Sequence, residues 1–277
     1  LRQASDKLRA AGVDSPEHDA KALAVHLLGL AKPSDLLMVD AIDLPAYEVL
    51  VDRRAARVPL QHLTGSVGFR YLDLEVGPGV FVPRPETESV VGWAVDALKG
   101  VHAPLVVDLC TGSGTVALAL ANELDHPIVH AVERDPQALE WAQRNADKRS
   151  AAGDPPVTLH LGSALDALPD LDGQCDLVAS NPPYVAENER HLPDPEVVDH
   201  DPEIALFAGE DGLDVIRLVE QAGRRLLKPG GLLVVEHSDR QGETAPAVFL
   251  EAGGWAEVED HEDLTGRPRY VTARWQP

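Results

Sequence analysis

Asn181-Pro182-Pro183-Tyr184 is the stretch of this sequence best suited to chemistry. The Asn side chain offers a carbonyl acceptor and an amide donor, and the peptide carbonyl of Pro182 is a second acceptor beside it. Two prolines stiffen the turn and remove both N–H donors, so the frame presents acceptors. Tyr184 adds a flat ring on which a planar group can rest. A planar –C(=O)NH2 or aryl-NH2 group matches this set, with two N–H bonds received and one face covered. The turn therefore suits chemistry on an amine or amide nitrogen, with Asn181, Pro182 and Tyr184 acting and Pro183 completing the wall. Taken alone, an X-Pro-Pro turn that merely closes a strand has the same spelling.

A second constellation lies upstream. Asp108-Leu-Cys-Thr-Gly-Ser-Gly114 falls between an apolar run and a helical pattern. Gly112 and Gly114 let the backbone approach a ligand closely, and the following helix N-terminus aims N–H groups at it. Ala117 stands where a dinucleotide fingerprint needs its third glycine, and the lysine of a phosphate-binding loop is missing. Glu133 ends the next apolar run, 19 residues after Gly114, where a carboxylate can take both hydroxyls of a ribose. A glycine loop without a phosphate-binding group, joined to a ribose carboxylate, fits a nucleoside cofactor that carries no phosphate. S-adenosylmethionine (AdoMet) is such a cofactor, and Asp108, Thr111, Gly112, Gly114 and Glu133 are its expected neighbours. Ser163, closing a third apolar run, either accepts from the adenine amine or only turns the chain; both readings stand.

The elements that must position these groups follow from periodicity. Apolar residues at helical spacing predict helices over 1–11 and 19–30, with Ser15-Pro16 as cap and first-turn proline, and two short helices starting at Ser34 and Leu44. Residues 1–64 read as a small helical bundle domain and 65–85 as a hairpin linker. From about residue 86 the pattern alternates strand, loop and helix, with strands at 105–109, 128–133, 157–161, 176–180 and 232–235. Such alternation predicts an α/β domain over 86–277 with a parallel sheet covered on both faces. Runs at 255–259 and 269–275, joined without a helix, predict a terminal antiparallel hairpin.

Composition narrows the function classes. At 44% hydrophobic and 25% charged, the 277-residue chain has the make-up of a soluble globular protein. No apolar stretch approaches the roughly 18 residues that span a bilayer, and no secretory leader is recognisable. The two cysteines give neither a disulfide framework nor a metal spacing, so a cytoplasmic monomer without a metal is expected. Net charge is −22, and it is uneven: residues 1–75 carry 9 basic and 11 acidic side chains, the remainder 15 and 35. So acidic a catalytic half disfavours a free nucleic-acid duplex as substrate, because phosphate neutralisation supplies most of such affinity.

The glycine loop, Glu133 and Asn-Pro-Pro-Tyr, in that order, resemble the class I AdoMet-dependent methyltransferases that modify nitrogen. Pro59-Leu-Gln-His-Leu-Thr-Gly65, Phe81-Val-Pro-Arg-Pro-Glu-Thr-Glu88, Glu210-Asp-Gly-Leu-Asp214 and Lys228-Pro-Gly-Gly231 sharpen the likeness. With the helical N-terminal segment, they resemble the peptide chain release factor N5-glutamine methyltransferases (the HemK/PrmC family) over essentially the whole chain. The resemblance implies a Rossmann-like, seven-stranded domain behind a helical substrate-recognition domain. It implies AdoMet as cofactor and class 1 release factors as partners, methylated on the glutamine of their Gly-Gly-Gln loop. It also implies that Phe81 and its segment face the cofactor's methionine end and the glutamine pocket. The family often has Asp where Ser163 stands, and often an aromatic residue where His62 stands. Residues 185–211 hold nine acidic side chains and one arginine, which suits either a loop that grips substrate or a solvated acidic loop. Two competing functions remain: methylation of an exocyclic amine of DNA adenine or RNA guanine, and AdoMet binding without catalysis.

Overall fold

The computed structural model describes residues 1–39 and 41–277. Helices α1 (Arg2–Ala10), α2 (Pro16–Leu27), α3 (Leu44–Ala55) and α4 (Leu60–Thr64), with a 3-10 turn at Pro33–Met38, make the N-terminal segment. Leu8, Leu23, Tyr47, Val51 and Leu63 are its buried centre. Pro16 opens α2 as expected, but Ser15 makes no side-chain cap bond. α4 stops at Gly65, whose φ of 77° is the left-handed conformation that ends helices.

Polar groups also hold this segment. The Tyr47 hydroxyl donates to the Ala20 carbonyl at 2.7 Å. Arg54, 7% exposed, donates through Nε to Asp19 at 2.7 Å and through Nη1 to Glu196 at 2.8 Å, 142 residues away in sequence. Arg54→Ala would strip Asp19 of its buried cation and leave Glu196 to Arg57 alone, and unfolding in urea should show a loss of about 3 kcal/mol. A stability unchanged within about 0.5 kcal/mol would mean that the pair is solvated.

A hairpin follows, β1 (Ser66–Phe69) with β2 (Leu72–Glu75), shorter than the sequence pattern suggests. Next come α5 (Thr87–Ala97), β3 (Leu105–Leu109), α6 (Thr115–Glu123), β4 (Ile128–Glu133), α7 (Pro136–Ala151), β5 (Val157–Leu161) and β6 (Cys175–Ser180). α8 (Pro195–His200), α9 (Asp214–Leu226), β7 (Leu227–Glu236), α10 (Thr244–Ala252), β8 (Trp255–Glu262) and β9 (Pro268–Trp275) complete the chain. The main sheet has seven strands in the order β5-β4-β3-β6-β7-β9-β8, parallel except at β9, which runs against both its neighbours. This is the expected α/β sheet with a terminal antiparallel hairpin. β7 starts five residues earlier than its apolar run, because Leu227 already pairs with Cys175; a register shift absorbs the Lys228-Pro-Gly-Gly segment before Leu232 meets Leu177.

One face of the sheet buries Val90, Val116, Leu120 and Ala146 from α5, α6 and α7; the other buries Ile216, Leu226 and Phe249 from α9 and α10. Strand order reverses between β3 and β6, so the loops after these strands open a crevice at their carboxyl ends. No helix among the described residues is long and apolar enough to cross a membrane.

Candidate active site

Asp108, at the end of β3, is 1% exposed and organises the glycine loop from beneath. Its Oδ2 accepts from the Thr111 hydroxyl at 2.5 Å and from the Ala117 N–H at 3.0 Å, while among the described residues Oδ1 has no partner. Burial pushes its carboxyl up to about 7, with Thr111 and Ala117 opposing and Glu133 adding. Gly112 has φ 57° with open space where a Cβ would stand, and Gly114 has φ 86° as the residue before α6. From the far side Asn145, fully buried on α7, donates to the Ser113 and Glu75 carbonyls and accepts from the Glu75 N–H. It thus ties the loop to the β1–β2 hairpin.

Cys110 occupies a left-handed position, φ 61°, that costs a side-chain-bearing residue on the order of 1 kcal/mol. Burial pushes its thiol up to about 12, so it stays protonated and is no nucleophile. Cys110→Gly is expected to raise the melting temperature by about 2–4 °C and to leave ligand binding intact. A lower melting temperature would show that thiol packing outweighs the strain.

Glu133 closes β4 beside the loop. Its Oε2 accepts from the Gly112 N–H at 2.9 Å, and its Oε1 from the N–H groups of Arg134 and Asp135 at 2.8 and 2.9 Å. Three backbone donors fix the carboxylate and leave acceptor capacity toward the crevice. Ser163 is placed apart: it is not in the crevice wall, and its Oγ accepts from the Leu165 N–H as a turn residue does.

Asn181 follows β6, and its Nδ2 donates to the Thr87 hydroxyl oxygen at 3.0 Å. Tyr184 donates to Glu236 Oε1 at 3.2 Å, and burial raises its own phenol well above the usual range. Asn181, Pro182, Pro183, Tyr184 and Phe81 share a cavity of about 760 Å³ with Thr111, Gly112 and Glu133. That volume lies within the range of small-molecule sites. The fit to a nucleoside cofactor that bears an amino acid rests on two grounds, open space over Gly112 and a fixed carboxylate at Glu133; Asp108 and Gly114 support the loop from behind the cavity wall.

Residues 185–211 form another wall. Glu187 and Glu203 pair with Arg190, Glu189 with Arg240, Glu196 with Arg54 and Arg57, Asp201 with Arg84, and Asp211 with Arg217. Six of the nine carboxylates are thus neutralised within the chain. The Asp201 side chain is fully buried, 3.0 Å from Arg84, and burial pushes its carboxyl up to about 6. The Arg84 guanidinium lies 5.0 Å from the centre of the Phe81 ring.

The sequence placed Arg84 and Thr87 at the site only as members of the Phe81–Glu88 segment, and did not single out Asn145 or Glu236. Glu236 carries a usable signal, since it ends a buried parallel strand on the same sheet edge as Glu133 and Asn181. Among the described residues, no group of three or more His, Cys, Asp or Glu side chains could hold a metal ion.

Residues 1–65 match the model of the PrmC N-terminal domain, and 92–194 match the methyltransferase small domain. The release factor glutamine methyltransferase of Streptomyces coelicolor is 55% identical, the alignment covering 99% of this chain and 96% of that one. This chain belongs to the release factor glutamine methyltransferase family. The family members of Mycolicibacterium smegmatis (48% identical, 99% and 95% covered) and Mycobacterium tuberculosis (43%, 99% and 92%) agree in span. Among solved structures, the hMettl16 catalytic domain superposes with a TM-score of 0.59 at 17% identity, over 82% of this chain and 81% of that one. A Pyrococcus furiosus methyltransferase gives 0.53 at 17% identity, over 74% and 89%. The fold of this family member is that of the class I methyltransferases.

Proposed function

We propose that this chain transfers a methyl group from AdoMet to the side-chain amide N5 of the glutamine in the Gly-Gly-Gln loop of class 1 release factors. Kinship over the full length, at up to 55% identity with a release factor glutamine methyltransferase, carries the reading. Asp108, Thr111, Gly112, Gly114 and Glu133 hold the cofactor, which supplies a methyl group on a positively charged sulfonium. Asn181 contributes to both ligands. Residues 1–64 serve as the recognition domain, 65–85 as linker and 86–277 as catalytic domain. A translation factor as substrate puts the work in the cytoplasm.

An amide nitrogen is a poor nucleophile because its lone pair is delocalised into the carbonyl. The protein's task is to orient that nitrogen and to exclude water around it. Asn181 Oδ1 and the Pro182 carbonyl accept the two amide N–H bonds, which returns electron density to nitrogen and fixes its direction. Pro183 keeps the turn stiff, Tyr184 covers one face, and Phe81 lines the same cavity. The proton lost from nitrogen passes to solvent after transfer.

The test is incubation with methyl-labelled AdoMet and either a class 1 release factor or its loop Gln→Ala variant. Label on the first alone supports glutamine methylation. Label on neither, with AdoMet bound, would move the substrate to a nucleic-acid amine.

A further inference from the structure

An Asn side chain can present either end of its amide to a ligand, and only one end is useful here. With Oδ1 toward the cavity it accepts an N–H; with Nδ2 there it would set donor against donor. Among the described residues the partner that distinguishes the ends is Thr87, whose hydroxyl oxygen receives Nδ2 at 3.0 Å. A hydroxyl can accept in this way or donate its one proton to Oδ1, so Thr87 alone does not choose.

Glu236 lines the same cavity as Thr87, whose hydroxyl is among the groups that favour the ionised form of the Glu236 carboxyl. Glu236 is 1% exposed and takes the Tyr184 hydroxyl on Oε1. Its Oε2 is buried and, among the described residues, has no hydrogen-bond partner. An ionised carboxylate only accepts. We infer that ionised Glu236 draws the Thr87 proton toward itself, leaving the Thr87 oxygen free to accept only, and so fixes Asn181 with Oδ1 toward the substrate amide. Thr87 and Glu236 are positioning residues: neither need touch the reacting atoms. The inference rests on the glutamine reading, since the required polarity is that of an N–H-bearing substrate.

The polarity depends on charge. Burial pushes the Glu236 carboxyl up to about 7, opposed by the Thr87 hydroxyl, Arg269 and the Tyr184 hydroxyl, and reinforced by Glu86. Arg269, on β9, is itself bonded to Asp263 at 3.1 Å, and Glu86 and Thr87 stand at the start of α5. Below that value the carboxyl becomes a donor. It can then give its proton to Thr87, which gives its own to Asn181 Oδ1, and the amide turns over. Turnover is therefore expected to fall as pH drops through the Glu236 value. Asp108, also pushed up to about 7, titrates in the same window but acts on the cofactor loop, so it shows in AdoMet affinity rather than in turnover at saturation.

The experiment measures kcat on a class 1 release factor at saturating AdoMet, between about pH 6 and about pH 8. Wild type is compared with Glu236→Gln, Thr87→Val and Thr87→Ser, with AdoMet affinity followed by calorimetry. Glu236→Gln and Thr87→Val should lose at least about tenfold in kcat and their acid limb, at unchanged AdoMet affinity, while Thr87→Ser stays near wild type. Either impaired variant turning over at the wild-type rate, or keeping the wild-type acid limb, overturns the inference. A wild type that binds AdoMet but leaves the release factor unlabelled overturns the glutamine reading instead, and this inference with it.

Discussion

Asn181→Ala is expected to slow release factor methylation by roughly a hundredfold or more while AdoMet affinity moves by no more than about threefold. The asymmetry follows from what the side chain does. Among the described residues it makes one side-chain bond, to Thr87, and toward the cavity it offers an acceptor. Alanine removes the acceptor that directs the nitrogen's lone pair, and the remaining Pro182 carbonyl holds only one N–H. The substrate amide can then rotate about that bond, and productive alignment becomes rare. The anchors proposed for the cofactor, the glycine loop and Glu133, follow other strands and are left undisturbed. Single-turnover rates with pre-bound AdoMet would separate the two effects. A variant that transfers methyl at the wild-type rate would remove Asn181 from the mechanism.

Glu133→Gln should act in the opposite sense, weakening AdoMet by roughly thirty- to a hundredfold. The carboxylate receives N–H bonds from Gly112, Arg134 and Asp135, on both of its oxygens. An amide cannot serve all three, because one end carries hydrogens and would face a backbone donor at 2.8–2.9 Å. The side chain must turn or the loop must retreat, and in either case the ribose loses a fixed, charged acceptor. Calorimetry with AdoMet reads the change directly. With AdoMet saturating, kcat should recover most of its wild-type value. An affinity within about threefold of wild type would show that Glu133 serves the loop and not the ribose.

Much of this arrangement was legible in the sequence, for identifiable reasons. β3, β4 and β6 are short and mostly apolar, so Asp108, Glu133 and Asn181 stand out at or beside the points where their apolar runs stop. The proline at the first helical turn marked the start of α2. What stayed hidden depends on docking between distant segments. Nothing periodic links Arg54 to Glu196, or Arg84 to Asp201, and a count of carboxylates in 185–211 could not tell paired from free ones. Thr87 looks like any helix-start threonine until Asn181 is placed against it. Ser163 shows the reverse case: a strand-end polar residue at the right edge of the sheet, yet engaged with its own turn.

The bridge from Arg54 and Arg57 to Glu196 has a bearing on how such proteins can diverge. One wall of the catalytic cavity is fastened to the N-terminal helices by buried charges, so the two cannot be exchanged independently between relatives. A chimera that took its first 64 residues from one relative and the remainder from another would have to bring the 185–211 segment along with the helices. Otherwise a carboxylate or a guanidinium would be stranded at the seam. The unit that must be inherited together is therefore discontinuous in sequence: a helical face and a loop well over a hundred residues apart.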